Sequence, residues 1–199
     1  MIIQVQPGSG WIEVVAGCMY SGKTEELVRR LRRTTYAKQT VIAFKPVIDD
    51  RYHAEDLATH LGDTFKAIPV HTAHEILDKV GDAEVVGIDE AQFFGPEIAE
   101  VATTLAGMGK RVIVSGLDAD YEGKPFKAVA HLMAVAEFVD KIQAVCVICG
   151  FPATKSQRIS DSGDRVLVGS EGVYEARCRR HWSPQPVLSA ARMRDMVED

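Results

Sequence analysis

The chain has 199 residues, 46% of them hydrophobic, and a formal net charge of −5. That length suits one α/β domain with a small appendage rather than two full domains, and the negative charge argues against a nucleic-acid backbone as the main partner. No apolar run approaches the roughly 18 residues of a membrane span, and Met1 to Gly10 lacks the long apolar core of a secretion signal, so a soluble cytoplasmic protein is expected.

Trp11 to Ala16 is an apolar run that reads as a buried strand. It leads into Gly17-Cys18-Met19-Tyr20-Ser21-Gly22-Lys23-Thr24, a complete G-x-x-x-x-G-K-[ST] phosphate-binding loop, which opens an amphipathic helical stretch from Glu25 to Tyr36. Strand, loop and helix in that order are the context the motif requires. Gly17 and Gly22 let backbone N–H groups turn inward around phosphate oxygens at the positive end of the helix. Lys23 is placed to reach the β- and γ-phosphates, and the Thr24 hydroxyl to hold Mg²⁺.

Arg29, Arg30, Arg32 and Arg33 flank the apolar stripe of this helix and read as a solvated face on an acidic protein. Thr40 to Phe44 is a second strand; Pro46 ends regular structure, and a polar loop follows through Asp49, Asp50, Arg51 and Tyr52. His53 and His60 beyond it read as surface residues. Val85 to Ile88 is the next strand and runs into Asp89-Glu90-Ala91-Gln92-Phe93-Phe94. An apolar strand ending in an acid is the Walker B arrangement, which makes Asp89 the partner of a Thr24-bound Mg²⁺. Pro96 to Met108 reads as a helix, and Arg111 to Ser115 as a fourth strand ending in a loop through Leu117 and Tyr121. This alternation implies an α/β fold with a mostly parallel sheet and helices on both faces.

Near Asp140 the texture changes. Cys146-Val147-Ile148-Cys149 and Cys178-Arg179-Arg180-His181 are two C-x-x-[CH] knuckles separated by 28 residues, a tetrahedral Zn²⁺ signature. Four protein ligands leave no open position, so the zinc is structural. Cys18 is left over. The expected division is a nucleotide-binding domain over 1–140, a zinc-binding lobe over 141–182 and a tail over 183–199. Within the lobe, Arg158 to Tyr174 suits a lid tethered at both ends or a plain structural hairpin.

A phosphate loop, a Walker B carboxylate and Mg²⁺ imply a nucleoside triphosphate. They leave the acceptor open. Glu90, beside the metal aspartate, is placed to act as a base toward water or a substrate hydroxyl. Two classes compete: a nucleic-acid-stimulated P-loop ATPase with a zinc ribbon, and a small-molecule kinase whose lid covers the acceptor. Size and charge favour the kinase, since helicases generally need two motor domains. A zinc-bearing interaction module would leave Lys23, Thr24, Asp89 and Glu90 unexplained.

The phosphate loop with Met19, the Asp49-Asp50-Arg51-Tyr52 loop, the Asp89-Glu90-Ala91-Gln92-Phe93 box, Lys124-Pro125-Phe126, both knuckles and Tyr174 four residues before Cys178 resemble the type II thymidine kinase family, over about Trp11 to Trp182. The resemblance implies a RecA-like P-loop NTPase fold whose zinc lobe carries a lasso loop. It implies transfer of the ATP γ-phosphate to the 5′-hydroxyl of thymidine or deoxyuridine in deoxynucleotide salvage. In these terms Glu90 is the catalytic base, while Lys23 and Arg51 stabilise the transferred phosphoryl group. The ATP site is Gly17, Cys18, Met19, Tyr20, Ser21, Gly22, Lys23 and Thr24 with Asp89, Glu90, Ala91 and Gln92. Thr24, Asp89 and Asp49 serve Mg²⁺. Met19, Gln92, Phe93, Leu117, Tyr121, Thr154 and Tyr174 line the nucleoside site, and Val166, Leu167, Val168 and Gly169 supply lasso contacts to the base. The resemblance further implies a homotetramer, feedback inhibition by thymidine triphosphate, and no nucleic-acid or membrane partner. The chain departs from the animal enzymes' all-cysteine zinc set at His181, and from a family glycine pair at Gly169-Ser170.

Overall fold

A computed structural model describes residues 8–47, 56–58, 64–159 and 172–187. Asp49, Arg51, Val166, Leu167, Val168 and Gly169 lie outside the described residues.

The strands begin with β1 (Trp11–Gly17) and β2 (Val41–Pro46), pass through an antiparallel pair, β3 (Asp56–Ala58) and β4 (Thr64–Lys66), and continue with β5 (Ile68–Val70), β6 (Val85–Ile88), β7 (Arg111–Leu117) and β8 (Phe138–Ile142). Six of them form a sheet in the order β5-β2-β6-β7-β1-β8, every neighbouring pair parallel. The helices are α1 (Lys23–Tyr36), α2 (His74–Lys79), α3 (Ile98–Gly107) and α4 (Lys127–Val135).

Side-chain alternation along the strands splits the interior into two cores. Ala43, Val85 and Ile113 meet Leu27, Val28 and Leu31 of α1 on one face. Their strand neighbours Phe44, Val86, Val112 and Val114 pack with Ile76 of α2, Ile98 and Leu105 of α3 and Leu132 of α4 in the other core. Parallel strands buried on both faces carry near-continuous apolar runs, which is why their sequence is so legible.

The edges differ from the sequence reading. β8 runs through Ile142 and pairs with β1 from Glu13↔Phe138 to Gly17↔Ile142, so the sheet extends two residues past the expected boundary at 140. Its middle three residues, Val139, Asp140 and Lys141, are exposed, and an edge strand of that composition has no apolar run to announce it. Pro46 is the last residue of β2, as the sequence suggested, and is paired there with Val70 of the edge strand. α3 starts at Ile98 rather than Pro96, after a turn closed by Ile98 N–H on the Gly95 carbonyl at 3.2 Å. The arginines of α1 are also not uniformly solvated. Arg30 pairs with Glu26 at 2.8 Å, with the buried Glu13 of β1 at 2.8 Å and with Asp140 of β8 at 2.6 Å, bolting the helix to the sheet. Burial alone would push the Glu13 carboxyl up, but Arg111, Trp11 and Arg30 outweigh it and hold the group below its ordinary range.

The small lobe consists of two antiparallel pairs, β9 (Ala144–Val145) with β10 (Pro152–Ala153) and β11 (Lys155–Arg158) with β12 (Tyr174–Arg177). Residues 183–187 dock along β11 and extend the lobe beyond 182. Ser183 N–H donates to Gln157 Oε1 at 2.7 Å, Gln157 Nε2 to the Gln185 carbonyl at 2.9 Å, and Val187 N–H to the Arg158 carbonyl at 3.1 Å.

Candidate active site

The carboxyl ends of β1, β6 and β7 converge on one rim of the sheet, where ligands bind in folds of this kind. β1 delivers the phosphate loop and α1 begins at Lys23, with Gly22 in the left-handed region at φ 82° as its cap. Gly17 is needed for a different reason: a Cβ there would sit 2.5 Å from the Ile142 carbonyl oxygen of β8 and 2.7 Å from Ser21 Oγ. Inside the loop the Cys18 carbonyl accepts both Ser21 Oγ and Lys23 Nζ, each at 2.8 Å.

Asp89 follows β6 and gathers three elements. One carboxylate oxygen accepts Thr24 Oγ1 of α1 at 3.0 Å. The other accepts the Ser115 hydroxyl of β7 and the Glu90 N–H, the latter at 2.9 Å. Burial, and then the charge of Glu90, push the Asp89 carboxyl up to about 6 against these hydrogen bonds. Thr24 and Asp89 therefore offer adjacent hard oxygen donors, the chemistry that suits Mg²⁺. Ser115 was read only as the end of a strand; its signal was a buried hydroxyl at the carboxyl end of the strand next to β6.

Glu90 adopts φ 51° and ψ 42°, a left-handed conformation uncommon for a side chain of this size. Such outliers concentrate at functional sites. It caps a short 3-10 turn, Ala91–Phe93, that brings Gln92 back over it. The Gln92 carboxamide donates from Nε2 to the Glu90 carboxylate and accepts Leu117 N–H at 2.9 Å. Gln92 thus links Glu90 to the sheet, while the side chain of Ala91 is fully buried in the core.

Tyr121, in the loop after β7, and Tyr174 of β12 converge on one buried arginine. The Arg158 guanidinium, fully buried, lies 4.6 Å from the Tyr121 ring centroid and 5.6 Å from that of Tyr174. Trp182 Nε1 donates to the Tyr121 carbonyl at 3.0 Å, pinning that loop to the lobe. Met19 N–H donates to Ser156 Oγ at 3.0 Å. Ser156, not singled out in the sequence, is the buried lobe hydroxyl that reaches the phosphate loop; Thr154 is half-buried just before β11. Ser156, Gln157 and Arg158 of β11 are all buried, so no in–out alternation marks Ser156 in the sequence, and its partner shows only once the lobe is folded against the phosphate loop.

The four knuckle residues form one cluster, their ligand atoms all within 4.8 Å of one another. Cys149 and Cys178 Sγ are 3.8 Å apart, Cys146 Sγ is 3.7 Å from His181 Nδ1, and Cys178 Sγ is 3.4 Å from the same nitrogen. With metal–sulfur bonds of about 2.3 Å, a tetrahedral zinc site has edges of roughly 3.8 Å, so the four residues fit that ion. Burial opposes ionisation of Cys146, but N–H groups of Cys178, Ile148 and Cys149, together with His181, bring the thiol down to about 6, toward the thiolate that binds metal.

Residues 10–182 match the family model described as "Thymidine kinase". A thymidine kinase of Bdellovibrio bacteriovorus is 49% identical over 191 residues, covering 94% of this chain and 94% of that protein. A thymidine kinase of Rhodothermus sp. is 48% identical over 185 residues, covering 93% of this chain and 87% of that protein.

Proposed function

The chain belongs to the thymidine kinase family, and from that membership we propose that it transfers the γ-phosphate of ATP to the 5′-hydroxyl of thymidine, with deoxyuridine as a second acceptor. The observation that carries the reading is a continuous hydrogen-bonded chain: Thr24 to Asp89, Asp89 to Glu90, Glu90 to Gln92, and Gln92 to Leu117. It joins the triphosphate side to the nucleoside side through the acid between them.

The Glu90 carboxylate takes the proton of the 5′-hydroxyl as that oxygen bonds to the γ-phosphorus and the bond to the bridging oxygen of ADP breaks. Gln92 holds the carboxylate toward the acceptor. Lys23 follows the charge onto the departing phosphates, and N–H groups of the loop and of the first turn of α1 face the same oxygens. Thr24 and Asp89 would hold the Mg²⁺ brought with ATP, which would supply charge neutralisation to the phosphates. Arg51 is assigned the outer face of the transferred group and Asp49 the outer shell of the metal, both by family resemblance. Leu117, Tyr121 and Tyr174 wall the pyrimidine, and main-chain atoms of Val166, Leu167, Val168 and Gly169 pair with its edge. The Cys146–Cys149–Cys178–His181 centre takes a structural Zn²⁺. Feedback by thymidine triphosphate, a homotetrameric assembly and a cytoplasmic location complete the proposal on the same resemblance.

A coupled assay for ADP across nucleosides, with ATP and Mg²⁺, tests it. Thymidine-dependent ADP release is the expected result. Hydrolysis indifferent to nucleosides and stimulated by RNA or DNA would overturn it in favour of a nucleic-acid-dependent ATPase.

A further inference from the structure

The Cys18 thiol has no part in the chemistry above, yet the residue is 1% exposed and belongs to the lobe's own core. That core is small: Cys18, Ala144, Cys146, Ala153 and Ala176 are its buried members, with Cys149 and Cys178 packed against it. Five short side chains bury too little apolar surface to hold a lobe together, which is why units of this size lean on a metal. One of the five comes from the phosphate loop.

The attachment is specific. Cys18 Sγ donates to the Ala153 carbonyl at 3.4 Å, and burial keeps the group a thiol. The adjacent Met19 N–H donates to Ser156 Oγ at 3.0 Å, and Gly17 pairs with Ile142 just before the lobe begins. Ala153 and Ser156 stand on β10 and β11, immediately after the Cys146–Cys149 knuckle. Three consecutive loop residues are therefore tied to the segment 142–156. The carbonyl of the middle one carries both Ser21 and Lys23.

We propose that Cys18 and Ser156 are positioning residues that pass the rigidity of the metal-bound lobe to the phosphate loop, so that affinity for the triphosphate depends on the lobe as well as on the loop. The inference rests on the phosphate-donor half of the proposed function. Analogue binding needs no acceptor, so its failure is separable from failure of the thymidine assay.

The test uses the full chain with its metal, a non-hydrolysable ATP analogue with Mg²⁺ as the probe, calorimetric Kd, and zinc content by elemental analysis. Cys18→Ala and Ser156→Ala should each keep full zinc and weaken the analogue by roughly three- to tenfold, the range expected for one buried hydrogen bond. Cys18→Ser keeps a donor for the Ala153 carbonyl and Ser156→Thr keeps a hydroxyl acceptor for Met19 N–H, so both should recover most of that loss, which a merely space-filling role would not produce. Chelation of zinc should weaken the analogue on the wild type by a larger factor than on the Cys18→Ala/Ser156→Ala double variant, where the connection is already cut. Analogue affinity within twofold of wild type in both alanine variants at full zinc would overturn the proposal. Should Cys18→Ala fail to fold, the Ser156→Ala and Ser156→Thr pair decides alone.

Discussion

Replacing Gly17 by alanine adds a single methyl at the point where β1 becomes the phosphate loop. The new Cβ would lie 2.5 Å from the Ile142 carbonyl oxygen, against a normal carbon–oxygen separation of about 3.3 Å, so something must move by roughly 0.8 Å. That oxygen is backbone in a strand registered against β1, Gly17↔Ile142, and has no rotamer through which to escape. Either β8 separates from the sheet or the loop is displaced, and overpacking of this kind costs about 1–3 kcal/mol. For a chain of this size about 2 kcal/mol corresponds to a fall in Tm of roughly 4–8 °C. If the loop gives way instead, a shift near 1 Å in the groups that hold the phosphates costs on the order of 100-fold in turnover. Differential scanning fluorimetry and kcat/KM for ATP read the two routes separately. Gly22→Ala is the comparison: its Cβ meets nothing closer than 3.8 Å, and the cost there is the left-handed backbone alone, about 1 kcal/mol. A Gly17→Ala enzyme with wild-type Tm and wild-type kcat/KM would refute the reasoning, because no relaxation route would have been used.

Glu90→Gln preserves an acceptor for the Gln92 carboxamide while removing the carboxylate proposed as base, so kcat should fall by roughly 10²- to 10⁴-fold with affinity for the ATP analogue unchanged; single-turnover rates and calorimetry check it. Asp89 has a native pKa raised from 3.8 to about 6, so the native state binds more protons than the unfolded chain across that window and stability falls as pH rises through it. Asp89→Asn should accordingly raise Tm of the metal-free protein at pH 7 while abolishing Mg²⁺-dependent turnover, and a lowered Tm would show that its hydrogen bonds outweigh its burial. In the wild type, kcat/KM for ATP should decline below about pH 6 as the same carboxyl protonates. Cys146 is shifted the other way, from 9.0 to about 6, toward the thiolate that binds metal; zinc content measured after dialysis should hold at pH 7 and fall in acid as protons compete with the metal for its ligands.

The elements that place the triphosphate were legible because their constraints are local. A glycine-framed loop between an apolar strand and an amphipathic helix, an apolar strand ending in Asp89-Glu90, and knuckles that each bring two ligands within one turn all write their geometry into adjacent residues. Strands buried on both faces add continuous apolar runs that fix their order in the chain. Parallel pairing, by contrast, is a relation between segments far apart, and only the tertiary structure supplies it. Edge strand β8 carries polar residues, and its existence depends on β1 having an unpaired side. Ser115 meets Asp89 only because β7 lies beside β6, and Ser156 meets Met19 only because β11 folds back over the phosphate loop. Gln92 reads in sequence as a ligand contact; its hydrogen bonds to Glu90 and to Leu117, which join two segments, appear only in the fold. Cys18 had no explanation in the motif, since its partner Ala153 is 135 residues away. Local chemistry determines which atoms this chain brings to a phosphate. The packing of distant segments decides how firmly, and against what, those atoms are held.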